Sequence, residues 1–239
     1  MSRLYLKNEL YFSLLWIALY VVLVSVADSI SLNLGTAKII TAPLCIVMAI
    51  VLILWINKNG LGNKYGLGKV QFDYRKYLYF LPLVLIASTN LWGGIALHVS
   101  AVESLLYIVS MICVGFIEEV IFRGFLFIAL CKGNVKHAIV ISSLTFGLGH
   151  IVNLLNGAEV VSTLLQICYA VAIGFLFTII FYKSKSLIPC IVTHSTINSL
   201  SVLSGDRSDM LRIIIPILLT ITALSYAVWI LKKGPKTID

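Results

Sequence analysis

Charge is what this sequence has least of. Only 12% of its 239 residues are Asp, Glu, Lys or Arg, whereas 60% are hydrophobic, and mean hydropathy is +1.02. A soluble domain is excluded, because a water-facing surface needs roughly 25–35% charged residues. The cysteines are too few and too scattered for a disulfide scaffold or a zinc knuckle. Cys45, Cys113, Cys131, Cys168 and Cys190 are odd in number, lie mostly in apolar runs and read as small core residues. The short alternating segments of an outer-membrane barrel are missing. So are internal repeats, low-complexity tracts and any sign of a second domain, so residues 1–239 are expected to form a single membrane domain. The one sizeable polar stretch, Asn57 to Lys76, contains Gly60, Gly62, Gly66 and Gly68. It is no phosphate loop, since Lys69 precedes Val70 and no glycine stands at the required distance before Gly68. It reads as a cytoplasmic loop with an interfacial stretch around Phe72 to Tyr79.

What the chain does have is apolar runs. Eight can be marked, at about 10–27, 39–56, 77–97, 104–130, 138–155, 160–182, 187–203 and 211–231, each near the length a helix needs to cross hydrocarbon. The expected architecture is all-α: a polytopic membrane protein, an eight-transmembrane-helix bundle with a buried polar cavity. The formal net charge of +8 does not point to nucleic acid, because 14 of the 18 basic residues flank these runs on one side. The opposite loops hold Lys38, Arg207 and Arg212 with Asp28, Glu103, Glu159, Asp206 and Asp209. By the positive-inside rule both termini are cytoplasmic and the protein sits in the plasma membrane, with the lipid bilayer itself as a partner.

Against this background Glu118-Glu119-Val120-Ile121-Phe122-Arg123 stands out. An Asp, Lys or Arg at the centre of a membrane helix costs roughly 2.5–3.5 kcal/mol, so the set must repay its presence. Glu119 and Arg123 are four residues apart, share a helix face and can pair; Glu118 is turned about 100° away and left over. His150, His194 and Asn198 are further polar residues within apolar runs. At about 1.5 Å per residue, Glu118 and His150 lie roughly 21 Å from the nearest flanking lysines, and His194 and Asn198 roughly 14 and 20 Å. Four polar residues on three helices therefore lie within about a turn of each other in depth. Taken singly, His and Asn are explained by interhelical hydrogen bonds on the order of 0.6 kcal/mol each, and Glu119–Arg123 by structure. Together they point to one shared site.

The order Glu-Glu-x-x-x-Arg, Phe-x-x-x-His (Phe146 to His150) and His-x-x-x-Asn (His194 to Asn198), the last preceded by Lys185-Ser186-Leu187-Ile188-Pro189, resembles the CPBP family. These are the CAAX-processing and bacteriocin-processing intramembrane endopeptidases, of the Abi type. The resemblance covers about residues 104–205, the expected catalytic core. It implies Glu118 as general base, His150 positioning water with it, His194 and Asn198 as donors to the substrate carbonyl, and Glu119 with Arg123 as the supporting shell. Glu118, His150 and His194 also form a conceivable zinc set. The histidines lack His-Glu-x-x-His spacing, however, so no cofactor is expected and zinc is the alternative. The implied substrate is a membrane-associated peptide or protein, in bacterial peptide maturation or bacteriocin self-immunity. Two other readings are a non-catalytic immunity or scaffold protein and a proton-coupled transporter, the latter weakened by the lack of a repeat.

Overall fold

A computed structural model describes residues 1–68, 80–155 and 157–233. Its regular elements are helical: α1 (Ser2–Lys7), α2 (Glu9–Asn33), α3 (Thr41–Lys58), α4 (Leu81–Ala87), α5 (Ala101–Glu118), a π-helical segment (Glu119–Phe127), α6 (Ile128–Cys131), α7 (Val135–Leu148), α8 (Val152–Leu155), α9 (Val160–Ser184), α10 (Ile188–Leu200) and α11 (Asp209–Lys233). Local chemistry sets many of the boundaries. Asn8 accepts from the Tyr11 amide, and Asn134 accepts from those of Lys136 and His137, so both satisfy amides that a helix start leaves unpaired. Ser100 and Glu103 form a reciprocal capping box at the start of α5. Pro189 occupies the first turn of α10, where its missing N–H is harmless.

Among the described residues six helical stretches are long and apolar enough to span a membrane: Glu9–Asn33, Thr41–Lys58, Ala101–Cys131, Val135–Leu155, Val160–Ser184 and Asp209–Lys233. They match six of the eight expected runs. The other two are shorter helices, Leu81–Leu91 and Ile188–Leu203. The first narrows to a 3-10 turn at Ser88–Leu91, and the second falls short of the ~20 residues that a hydrocarbon core demands. The interfacial stretch expected at Phe72 to Tyr79 lies outside the described residues. Large apolar side chains such as Val22, Leu54, Leu105 and Leu164 point outward, as they must in a protein whose solvent is lipid. The protein is an integral membrane protein.

Charged residues gather at the two ends of this bundle. Glu9 pairs with Lys64 at 2.8 Å and Lys132 at 3.2 Å. Burial disfavours the Lys64 ammonium, but its bonds to Glu9 and Tyr5 outweigh that and raise its pKa. At the other end Asp28 pairs with Lys38 at 2.8 Å, and Glu103 accepts from the Ala37 amide. The cysteines are all free thiols: Cys45 and Cys190 are buried as expected, whereas Cys168 is exposed.

Two glycines let the helices around the centre approach closely. A Cβ on Gly115 of α5 would stand 2.7 Å from the Ser195 amide nitrogen on α10, and one on Gly147 of α7 would stand 2.7 Å from that of Val171 on α9. The first crossing brings Glu118 and Glu119 against His194.

Candidate active site

The Glu-Glu-x-x-x-Arg motif straddles a change of helix type. Glu118 is the last residue of α5, and Glu119 opens the π-helical turns, in which all nine residues are buried. A π-helix bonds i to i+5 and so widens the turn; it is rare and concentrates at functional sites. α2, α7 and α9 pack around it. The Phe122 carbonyl receives a hydrogen bond from Ser142 of α7 at 3.0 Å.

The expected ion pair is present. Arg123 Nη1 donates to Glu119 Oε1 at 2.9 Å, with both side chains fully buried. The guanidinium carbon lies 4.1 Å from the centre of the Phe146 ring and 5.7 Å from that of Phe177. The aromatic faces thus attract the cation where hydrogen-bond acceptors run out: Arg123 Nε and Nη2 have none among the described residues. Phe146 is therefore more than a spacer in Phe-x-x-x-His. It also meets the rings of His150 and His194 edge-on, at 5.9 and 5.5 Å.

His194 Nδ1 donates to the same Oε1 of Glu119 at 2.8 Å, and its Nε2 lies 3.5 Å from Glu118 Oε2. An ionised carboxylate only accepts, so the proton on Nδ1 is fixed by Glu119. Arg123, Glu119, His194 and Glu118 thus form one continuous chain. His194 was expected beside Asn198 at the substrate carbonyl; instead it is wedged between two carboxylates and only 6% exposed. Gly115 permits this wedge by letting α10 lie against α5.

Glu118 is not left over, as its position on an ideal helix suggests. Besides facing His194, it accepts a hydrogen bond from the Tyr20 hydroxyl at 2.5 Å. Tyr20 comes from α2, about a hundred positions earlier and outside every motif. Its only sequence signal is a phenol in an apolar run, where a buried hydroxyl must find a partner.

Glu118, His150 and Asn198 line one cavity of about 410 Å³. Glu118 and His150 also line a smaller one of about 130 Å³, together with Tyr20, Ser25 and Asp28. His150 lies in a 3-10 turn, Gly149–Ile151, just past the end of α7. Gln166 Nε2 donates to its Nδ1 at 3.3 Å, and Asn153 Nδ2 donates to Gln166 Oε1 at 2.9 Å. A neutral ring so held carries its hydrogen on Nε2. The structure therefore brings all six sequence-selected residues together. Glu118, His150 and Asn198 are on the cavity wall; Glu119, Arg123 and His194 are packed behind it. Sequence reading missed Tyr20, Gln166 and Asn153, which lie outside the three motifs.

Among the described residues no three His, Cys, Asp or Glu side chains are grouped so as to hold a metal ion. Of the conceivable zinc set, His194 keeps Nε2 open as a ligand nitrogen, because a carboxylate on Nδ1 is what a metal-binding histidine commonly has, whereas His150, with Gln166 on Nδ1, carries its hydrogen on Nε2.

No curated protein and no solved structure matches the chain. A family model does match, that of the type II CAAX prenyl endopeptidase Rce1-like proteins, over residues 100–200. Those residues hold Glu118, Glu119, Arg123, His150, His194 and Asn198. The motif-bearing stretch of this membrane protein is thus similar to the CAAX protease family.

Proposed function

We propose that the chain is an intramembrane endopeptidase that cleaves a membrane-associated peptide or protein with water activated by Glu118. The observation that carries this reading is that Glu118, His150 and Asn198 share one cavity inside an apolar bundle. A half-buried carboxylate set against two other hydrogen-bonding groups is what hydrolysis of an amide requires. In this reading both termini face the cytoplasm from the plasma membrane, which the one-sided excess of Lys and Arg supports. The physiological task is bacterial peptide maturation or bacteriocin self-immunity, and the chemical class of substrate follows the family's name, a lipid-modified C-terminal tail.

In the proposed reaction a water rests between Glu118 and His150, with His150 Nε2–H donating to its oxygen. Glu118 takes a proton from it as the oxygen attacks the scissile carbonyl carbon. The oxyanion receives the Asn198 amide N–H. Glu118 then returns the proton to the leaving nitrogen, the C–N bond breaks, and a carboxylic acid and an amine are released. His194, fixed by Glu119, packs against the second oxygen of Glu118 and limits where that carboxylate can turn, and Arg123 holds Glu119. No step passes through a metal.

The test is cleavage of a membrane-anchored peptide by purified protein. Glu118→Gln keeps shape and polarity but removes the base, and turnover should fall by about 10²- to 10⁴-fold. Asn198→Ala should cost roughly 10²- to 10³-fold, as expected for one oxyanion donor. Full turnover by Glu118→Gln would rule out the assignment. Full biological effect without turnover would favour the binding-only reading.

A further inference from the structure

Resting on the endopeptidase reading, we infer that Arg207 is the anchor for a free carboxylate at the end of the substrate, so that the site takes short C-terminal tails. Arg207 lies between the 3-10 turn Ser201–Leu203 and α11, outside the family-matched stretch. It lines the same 410 Å³ cavity as Glu118, His150 and Asn198. Among the described residues no carboxylate pairs with it. Its neighbour Asp206 is 91% exposed and instead faces His98 at 3.9 Å. Its Nε is buried without a hydrogen-bond partner among the described residues, so the cation is only partly satisfied by the protein and an anionic ligand would complete its pairing.

The guanidinium is also held still. Nη2 donates to the Thr89 carbonyl and to Asn90 Oδ1, both at 3.1 Å. Asn90 Nδ2 in turn donates to the Ile197 carbonyl at 2.6 Å, one residue before Asn198. The cation is thus tied to the helix that carries the proposed oxyanion donor. With Nη2 so engaged, Nη1 keeps its N–H groups for a carboxylate oxygen, a charge-assisted bond. Met111, Val114, Ile215 and Leu219 give the cavity apolar walls. The volume falls in the range of small-ligand pockets, roughly 300–1,000 Å³. It suits a few apolar residues ending in a charge.

The probe is a farnesylated peptide ending in cysteine and three apolar residues, made as the free acid and as the C-terminal amide. Binding of both is measured on the Glu118→Gln protein in lipid nanodiscs, then on Glu118→Gln/Arg207→Gln. The free acid is expected to bind about tenfold or more tightly than the amide, and Arg207→Gln should abolish the difference. Equal affinities for acid and amide with Arg207 intact overturn the inference, whether or not the double variant folds. So does a failure of the free acid to bind. A preference for the acid that survives Arg207→Gln, even with both affinities uniformly weakened, overturns it too and leaves Arg207 as a brace for the Thr89–Asn90 turn. Because the readout is binding, failure of the wild type to cleave counts against the endopeptidase reading alone.

Discussion

The Tyr20 hydroxyl on α2 donates a 2.5 Å hydrogen bond to Oε1 of Glu118 at the end of α5. A helix without motifs thereby fixes the proposed general base, whose other oxygen faces His194. Tyr20→Phe removes the donor and keeps the ring. Without it one oxygen of Glu118 loses its anchor, so kcat should drop on the order of tenfold with KM little altered, the value of one charged hydrogen bond. Unchanged kcat in a folded Tyr20→Phe protein would show that the bond does not position Glu118.

Arg123 and Glu119 are both fully buried, so removing one partner strands the other. Arg123→Met should lower stability by about 3–5 kcal/mol, seen as a reduced melting temperature in detergent. The double change Glu119→Gln/Arg123→Met removes both charges and should restore much of the stability while leaving activity low, since an amide can turn either its oxygen or its N–H₂ to His194 and no longer fixes the ring's tautomer. If Arg123→Met melts like the wild type, the pair is not the anchor described.

Gly115 and Gly149 separate packing from proximity. A methyl at Gly115 would press on the Ser195 backbone, whereas one at Gly149 would meet nothing within 4 Å. Gly115→Ala should therefore cost about 1–3 kcal/mol and most of the activity, because α10 must move away from α5. Gly149→Ala should leave stability within about 0.5 kcal/mol of wild type. Equal melting temperatures for the two variants would contradict the close crossing.

Metal removal tests the proposed chemistry directly. Prolonged treatment with a chelator should leave peptide cleavage intact, and metal analysis of active protein should find less than one equivalent. Loss of activity that zinc restores would reinstate a metal mechanism and require His150 to give up its contact with Gln166.

Much of this architecture is legible in the sequence because lipid imposes simple rules. A span needs a length of apolar residues, and an intramembrane charge needs a partner. The i, i+4 spacing of Glu119 and Arg123 already states their pairing, and the common depth of Glu118, His150, His194 and Asn198 already suggests one site. Tyr20 and Gln166 were invisible because each acts across helices far apart in sequence, where no local period connects them. The π-helical turns were equally invisible, since a 3.6-residue reading assumes the regularity that Glu119–Phe127 breaks.

The sequence by itself determined that the chain is a helical membrane protein, which residues are too polar to be there without a role, and that Glu119 and Arg123 pair. Composition and local spacing suffice for those conclusions. Only the tertiary structure decided that His194 sits between two carboxylates, that Tyr20 holds Glu118 and that Arg207 shares their cavity. Those relations depend on where helices cross, and crossings are set by packing at contacts such as Gly115 against Ser195, which no periodicity encodes.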